Sequence, residues 1–281
     1  MNIEDIDIDV IINKRFVKPI NRKYNKLIKN INNDSFRHSE SLGLIKQIDL
    51  SLKNIKYNID RGNLVDANSL LRAIVEYISM ATMIQYDEET YLEFINLSLK
   101  NSKRKKTNPK KLIENFSNKL NDILSELYNL ENDDEIPQIY EFYEYLCRYT
   151  HSSLCVSSMI KIETKDEKDF MKIAMIQNYY LVKMIVYYVL AYIEHDNNVI
   201  KAEYISFVLI LYLYKIAKFI QVTNIKFDYI KDIMYESINK EFFNTSKNSV
   251  LELKKEIEDI LKIMTENEQI GNSFLKFICI K

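Results

Sequence analysis

An all-α, multi-helix bundle is what this sequence predicts, on three observations. Three glycines and three prolines in 281 residues leave little material for hairpin turns, bulges or long ordered loops. Leu, Ile, Lys and Glu abound, and through most of the chain apolar residues recur three and four apart, the period of a helix with one buried face. Ile, Lys, Asn and Tyr are frequent enough to fit an AT-rich bacterial coding bias, and Tyr and Phe fill core positions because Trp is absent.

The chain opens with an acidic alternation, EDIDIDVII, which passes into a basic segment interrupted by Pro19. Residues 1–38 read as an N-terminal arm or frayed helix, and its bases, Lys14 to Lys29, read as a phosphate-touching surface or a solvated face. A helix from Ser39 or Ser41 to Asp60 follows, with Ser39 as N-cap and Arg61-Gly62-Asn63 as its stop. His38 just before it reads as a cap or surface residue. The next helix, over residues 64–85, buries Leu64, Ala67, Leu70, Leu71, Ile74, Val75, Ile78 and Ala81 but carries a polar stripe of Asp66, Ser69, Arg72, Glu76 and Ser79. Asp87-Glu88-Glu89 starts another helix, with Tyr91, Phe94, Ile95, Leu97 and Leu99 on its buried face.

Residues 100–111, KNSKRKKTNPKK, hold seven Lys or Arg and no acid. Lys103, Arg104, Lys105 and Lys106 there form either a binding site for a nucleic-acid backbone or a solvated connector. Pro109 opens a helix with Leu112, Phe116, Leu120, Ile123, Leu124 and Leu127 in register. NDDEIP then punctuates the chain before a helix ending in RYTHSS. A long helix from Asp166 to His195, an EHDNN turn, a second long helix to Gln221 and helices near 228–243 and 246–266 complete the reading. The domains expected are an arm at 1–38, a bundle core at 39–221 and a C-terminal helical hairpin at 222–281.

Charge is balanced, 39 basic against 40 acidic residues, so the whole molecule has no electrostatic preference for nucleic acid or membrane. Cys147, Cys155 and Cys279 are odd in number and lack metal-type spacing, which with no signal peptide points to a reducing cytoplasm. The apolar runs 184–193 and 204–214 are each about half of the roughly 20 residues that a span needs. They read as core helices, and no membrane association is expected.

Arg72 and Glu76 are four apart on one helical face, and charges in such apolar company persist only when paired. In residues 140–153 Glu141, Glu144, Tyr145, Arg148 and His151 recur at the same spacing, so two polar faces are expected to meet inside the bundle. A cluster of Arg72, Glu76, Glu144, Tyr145, Arg148 and His151 suits phosphodiester chemistry: arginine neutralises the phosphate, His151 shuttles the proton, and glutamate orients them. RNA cleavage through the 2′-hydroxyl needs neither metal nor cofactor. The rival reading is an Arg-Glu-His network that stitches helices in a non-catalytic module for a protein or nucleotide ligand.

LLRAIVEY followed by YEYLCRYTHSS resembles an uncharacterised group of bacterial helical proteins with an Arg-x3-Glu helix and a Tyr-x5-His motif, itself similar to the HEPN superfamily of abortive-infection and toxin systems. The likeness covers about residues 40–195. It implies a HEPN-like fold and a ribonuclease or RNA-binding effector in phage defence or toxin–antitoxin stress, forming a homodimer and meeting an antitoxin or defence partner. Arg148 and His151 correspond to its catalytic pair, although their spacing is shorter than in HEPN ribonucleases.

Overall fold

The computed structural model describes residues 8–99, 109–128, 139–148, 150, 164–196 and 199–200, and scattered positions between 211 and 259. The basic loop at 103–106, His151 and the helices expected at 228–243 and 246–266 lie outside the described residues, except for isolated positions such as Lys255 and Asp259. Among the described residues the chain is helical without a strand, as expected. The helices are α1 (Ile8–Ile11), α2 (Lys18–Asn30), α3 (Ser39–Arg61), α4 (Leu64–Tyr86), α5 (Glu88–Leu99), α6 (Pro109–Tyr128), α7 (Ile139–Arg148) and α8 (Lys165–Ile193).

The chain divides into two compact units, Met1–Arg22 with Thr164–Gln177 and Ile200–Lys281, and Lys23–Glu163 with Asn178–Val199. The segment expected as an arm is helical from Ile8. A widened turn over Ile12–Val17 joins α1 to α2, just ahead of Pro19, whose ring and missing N–H disturb the hydrogen-bond ladder there. Ile12, Phe16 and Ile20 are buried in the first unit, as are Phe170 and Met171. In that unit Phe170 also stacks on Phe219 with ring centres 6.2 Å apart.

The second unit is organised around α4, which packs against α3, α5, α6 and α7. Leu71, Ile74, Val75 and Ile78 are each at most 1% exposed, and full burial of such a side chain contributes roughly 1.5–3 kcal/mol. Facing positions are closed by Ile48 and Ile55 of α3, Ile113, Phe116 and Ile123 of α6 and Leu146 of α7, all at 0%. One residue joins α4 to α5. The Asp87 N–H donates to the Met83 carbonyl at 2.7 Å, while its carboxylate accepts from the Thr90 N–H at 3.1 Å and from the Thr90 hydroxyl. Those Thr90 bonds hold the Asp87 carboxyl below its ordinary pKa. Of the expected buried face of α5, Tyr91, Phe94 and Ile95 are of intermediate exposure, and the side chains of Leu97 and Leu99 lie outside those described.

At the start of α3 the cap falls on His38, not Ser39, which is already helical. His38 makes no side-chain cap bond. Its ring stacks on Tyr91 at 3.6 Å, so packing against α5 rather than capping sets its place. α8 has the length and apolarity of a membrane span, but 89% of its most apolar window is buried in the protein, the environment of a core helix.

α3 and α8 end alike. Gly62 at φ 80° donates to Ile59 while Asn63 donates to Asn58, at 3.0 and 2.8 Å; His195 at φ 52° donates to Tyr192 while Asp196 donates to Ala191, at 3.2 and 2.9 Å. Both are left-handed closures that favour glycine. A Cβ at Gly62 would meet no atom within 4 Å, so only the backbone term operates. Gly62→Ala is expected to cost about 1 kcal/mol, and His195→Gly to gain up to about 1 kcal/mol, less the entropy of the added glycine. Urea unfolding of the two variants should move the midpoint in opposite directions.

Candidate functional site: the α4–α7 polar array

The polar stripe of α4 does meet α7. Glu76 Oε1 accepts two hydrogen bonds, from Arg72 Nε at 3.0 Å and from the Tyr143 hydroxyl at 2.7 Å. Arg72 Nη1 donates to the Thr150 hydroxyl at 3.0 Å, which in turn donates to the Cys147 carbonyl at 3.0 Å. One turn earlier on α4, Asn68 Nδ2 donates to the Leu146 carbonyl at 3.0 Å. α4 therefore reaches the C-terminal end of α7 twice. The last carbonyls of a helix lack intrahelical donors and carry its negative pole, and here the Asn68 amide satisfies one directly while Arg72 reaches the next through the Thr150 hydroxyl.

Electrostatics tighten the array. Burial opposes the charge on Arg72, but Tyr143 and Glu76 outweigh it and raise the guanidinium pKa. Burial, and then the Glu76 carboxylate, push the Tyr143 phenol above its ordinary range. Burial also raises the Cys147 thiol, with Tyr143 and Arg72 acting against it. The array is not sealed, since the side chains of Arg72 and Glu76 keep 24% and 31% exposure.

Not every residue expected at this meeting takes part. Glu144 pairs with Lys110 Nζ at 2.6 Å and accepts from Tyr140 at 3.0 Å, and Lys110 foremost holds its carboxyl low. Tyr145 is buried at 8% with its ring beside Phe142. Arg148 is exposed. The residues turned to α4 are instead Tyr143 and Cys147 of α7, with Thr150 just beyond its end, one residue out of phase. A rotation of about 100° per residue separates the two faces, and the same four- and three-residue spacing marks both. The two serines of the stripe serve α4 itself: Ser69 donates to the Val65 carbonyl and Ser79 to the Val75 carbonyl, at 3.0 and 2.7 Å, and Asp66 is exposed.

Comparison with protein-family models, with curated proteins and with solved structures finds no match.

Proposed function

We propose that this chain is a non-catalytic helical binding module and that the Arg72–Glu76–Tyr143–Thr150 array is a cross-link holding α7 on α4. The supporting observation is that each bond of the array closes on another protein group. Glu76 Oε1 is occupied by Arg72 and Tyr143, and the Thr150 hydroxyl bridges Arg72 to the end of α7. A general base needs a lone pair turned toward its substrate proton, and at Oε1 such a proton would have to displace Arg72 or Tyr143. Thr150→Val removes the bridge. It is expected to lower stability by about 1 kcal/mol, the worth of one such bond, and to leave total RNA intact, as with the parent protein.

A second reading, the metal-independent ribonuclease of a defence or toxin system, draws on one observation. Thr150, which accepts from Arg72, immediately precedes His151 in the sequence. Incubation of the purified protein with total RNA, with and without EDTA, distinguishes the two readings. Intact RNA in both arms is the expected result. Cleavage that persists in EDTA and disappears in His151→Ala at an unchanged thermal midpoint overturns the binding-module reading.

A further inference from the structure

One helix differs from the other described helices in its charge. From Ile12 to Asn30 the sequence contains no acid, and on α2 Lys18, Arg22, Lys26 and Lys29 are all exposed at four- and three-residue spacing. The opposite side of the same helix, Ile20, Tyr24 and Leu27, is buried at 0%, 1% and 3%. Acids and bases are mixed on α3, where Lys53 pairs with Asp49, and on α6, where Lys119 lies beside Asp122, while α5 carries acids only. Like charges four apart destabilise a helix by a few tenths of a kcal/mol per pair. Among the described residues none of the four forms an ion pair that would offset this.

We infer that the exposed face of α2 is a docking surface for the phosphate backbone of a nucleic acid. Lys18 to Lys29 span about 17 Å along the helix axis, the length over which one strand of a duplex presents about five phosphates. Long flexible cationic stems suit that contact, because a phosphate needs a point charge more than a fixed geometry. No aromatic residue lies on the exposed face, Tyr24 being buried, so the surface has no stacking platform and binds without regard to base sequence. A membrane is the poorer partner. An interfacial helix inserts an apolar face into lipid, and here that face is already used by the core.

This goes beyond the binding-module reading by naming a partner and a surface, and it does not depend on the α4–α7 array. The test measures anisotropy of labelled mixed-sequence single-stranded RNA and duplex DNA with the full chain, across a salt series. The parent protein is expected to bind at low salt. The combined variant Lys18→Gln, Arg22→Gln, Lys26→Gln, Lys29→Gln should weaken binding at least tenfold, with the slope of log K against log salt shallower by about 3–4. Lys165→Gln with Lys168→Gln, exposed positions at the mixed-charge start of α8, should leave both unchanged. Because the four α2 side chains are exposed, the variant is expected to keep its helical circular dichroism and thermal midpoint. Absence of binding by the parent, full binding by a folded quadruple variant, or binding only to phosphatidylserine vesicles overturns the inference. An RNA cleavage result in the separate assay bears on the array and not on this surface.

Discussion

Replacing Lys183 by methionine is expected to raise stability by about 2–3 kcal/mol at pH 7 and to remove a rise in stability between pH 8 and 10. Lys183 on α8 is 6% exposed. Burial pulls its ammonium from 10.5 to about 8, with Lys56 adding repulsion and Asp49 opposing both. Its Nζ lies 4.7 Å from the Tyr24 ring centre and 5.6 Å from that of Tyr179, and 3.4 Å from the Tyr179 hydroxyl. These contacts reduce the cost of burying the charge without cancelling it. Below pH 8 folded and unfolded chains are both protonated here, and the whole penalty is present, roughly 3 kcal/mol for a shift of this size. Between 8 and 10.5 the folded chain releases the proton first, so the penalty fades as pH rises. Methionine keeps the volume and loses the cation–π contacts, which trims the gain.

The buried tyrosines act in the opposite sense. Burial, followed by the charge of Asp49, pushes the Tyr24 phenol above its ordinary range, and burial does the same to Tyr179. The folded chain then holds protons that the unfolded chain loses near pH 10, so stability falls above that point. Taken by themselves, Lys183 and the two tyrosines favour the folded chain most between these two limbs, near pH 9–10 by the ordinary and shifted ranges. Urea unfolding of parent and variant at pH 7, 8, 9 and 10 isolates the lysine term as their difference. A variant less stable than the parent at pH 7, or a difference indifferent to pH, would count against the account.

What could be read from the sequence differs between helices for physical reasons. α4 is legible because most of its buried positions are hydrocarbons, with only Asn68, Ser79 and Thr82 polar, leaving Arg72 and Glu76 as the charged residues that must pair. Gly62 marked the end of α3, since a left-handed closure is what glycine does there. His195 carries no such mark, and its positive φ is visible only in the backbone. α7 was assigned the wrong phase. Tyr143, Tyr145 and Cys147 are each as suited to a core as to a polar contact, so spacing alone favours the face of Glu144 and Arg148, whereas Glu144 pairs with Lys110 and Arg148 is exposed. Asn68 and Thr150 were missed for a related reason: their partners are α4 and the carbonyl end of α7, and backbone carbonyls leave no trace in side-chain periodicity.

Removal of the Glu76 carboxylate is expected to be the costliest change in the α4–α7 array. Glu76→Ala leaves the Arg72 Nε–H and the Tyr143 hydroxyl without the oxygen they share, for a loss of about 2–3 kcal/mol. That is below the roughly 3–5 kcal/mol of a fully buried broken pair, because water can reach side chains still 24% and 31% exposed. Glu76→Gln keeps a carbonyl oxygen in place and gives up only the charge, so about 1 kcal/mol is expected. Tyr143→Phe removes one donor at a similar cost. If the phenol and the carboxylate act as one unit, the double variant Glu76→Ala, Tyr143→Phe should lose about 1 kcal/mol less than the sum of the single losses. Strict additivity would mean that the 2.7 Å contact contributes nothing, and α7 would then be held on α4 by its apolar face, the Asn68 bond and the Arg72–Thr150 bridge. The cycle also bears on function, since a cross-link predicts that nucleic-acid binding at low salt follows the folded fraction across all four proteins. Loss of binding in fully folded Glu76→Gln would instead place the ligand at this carboxylate.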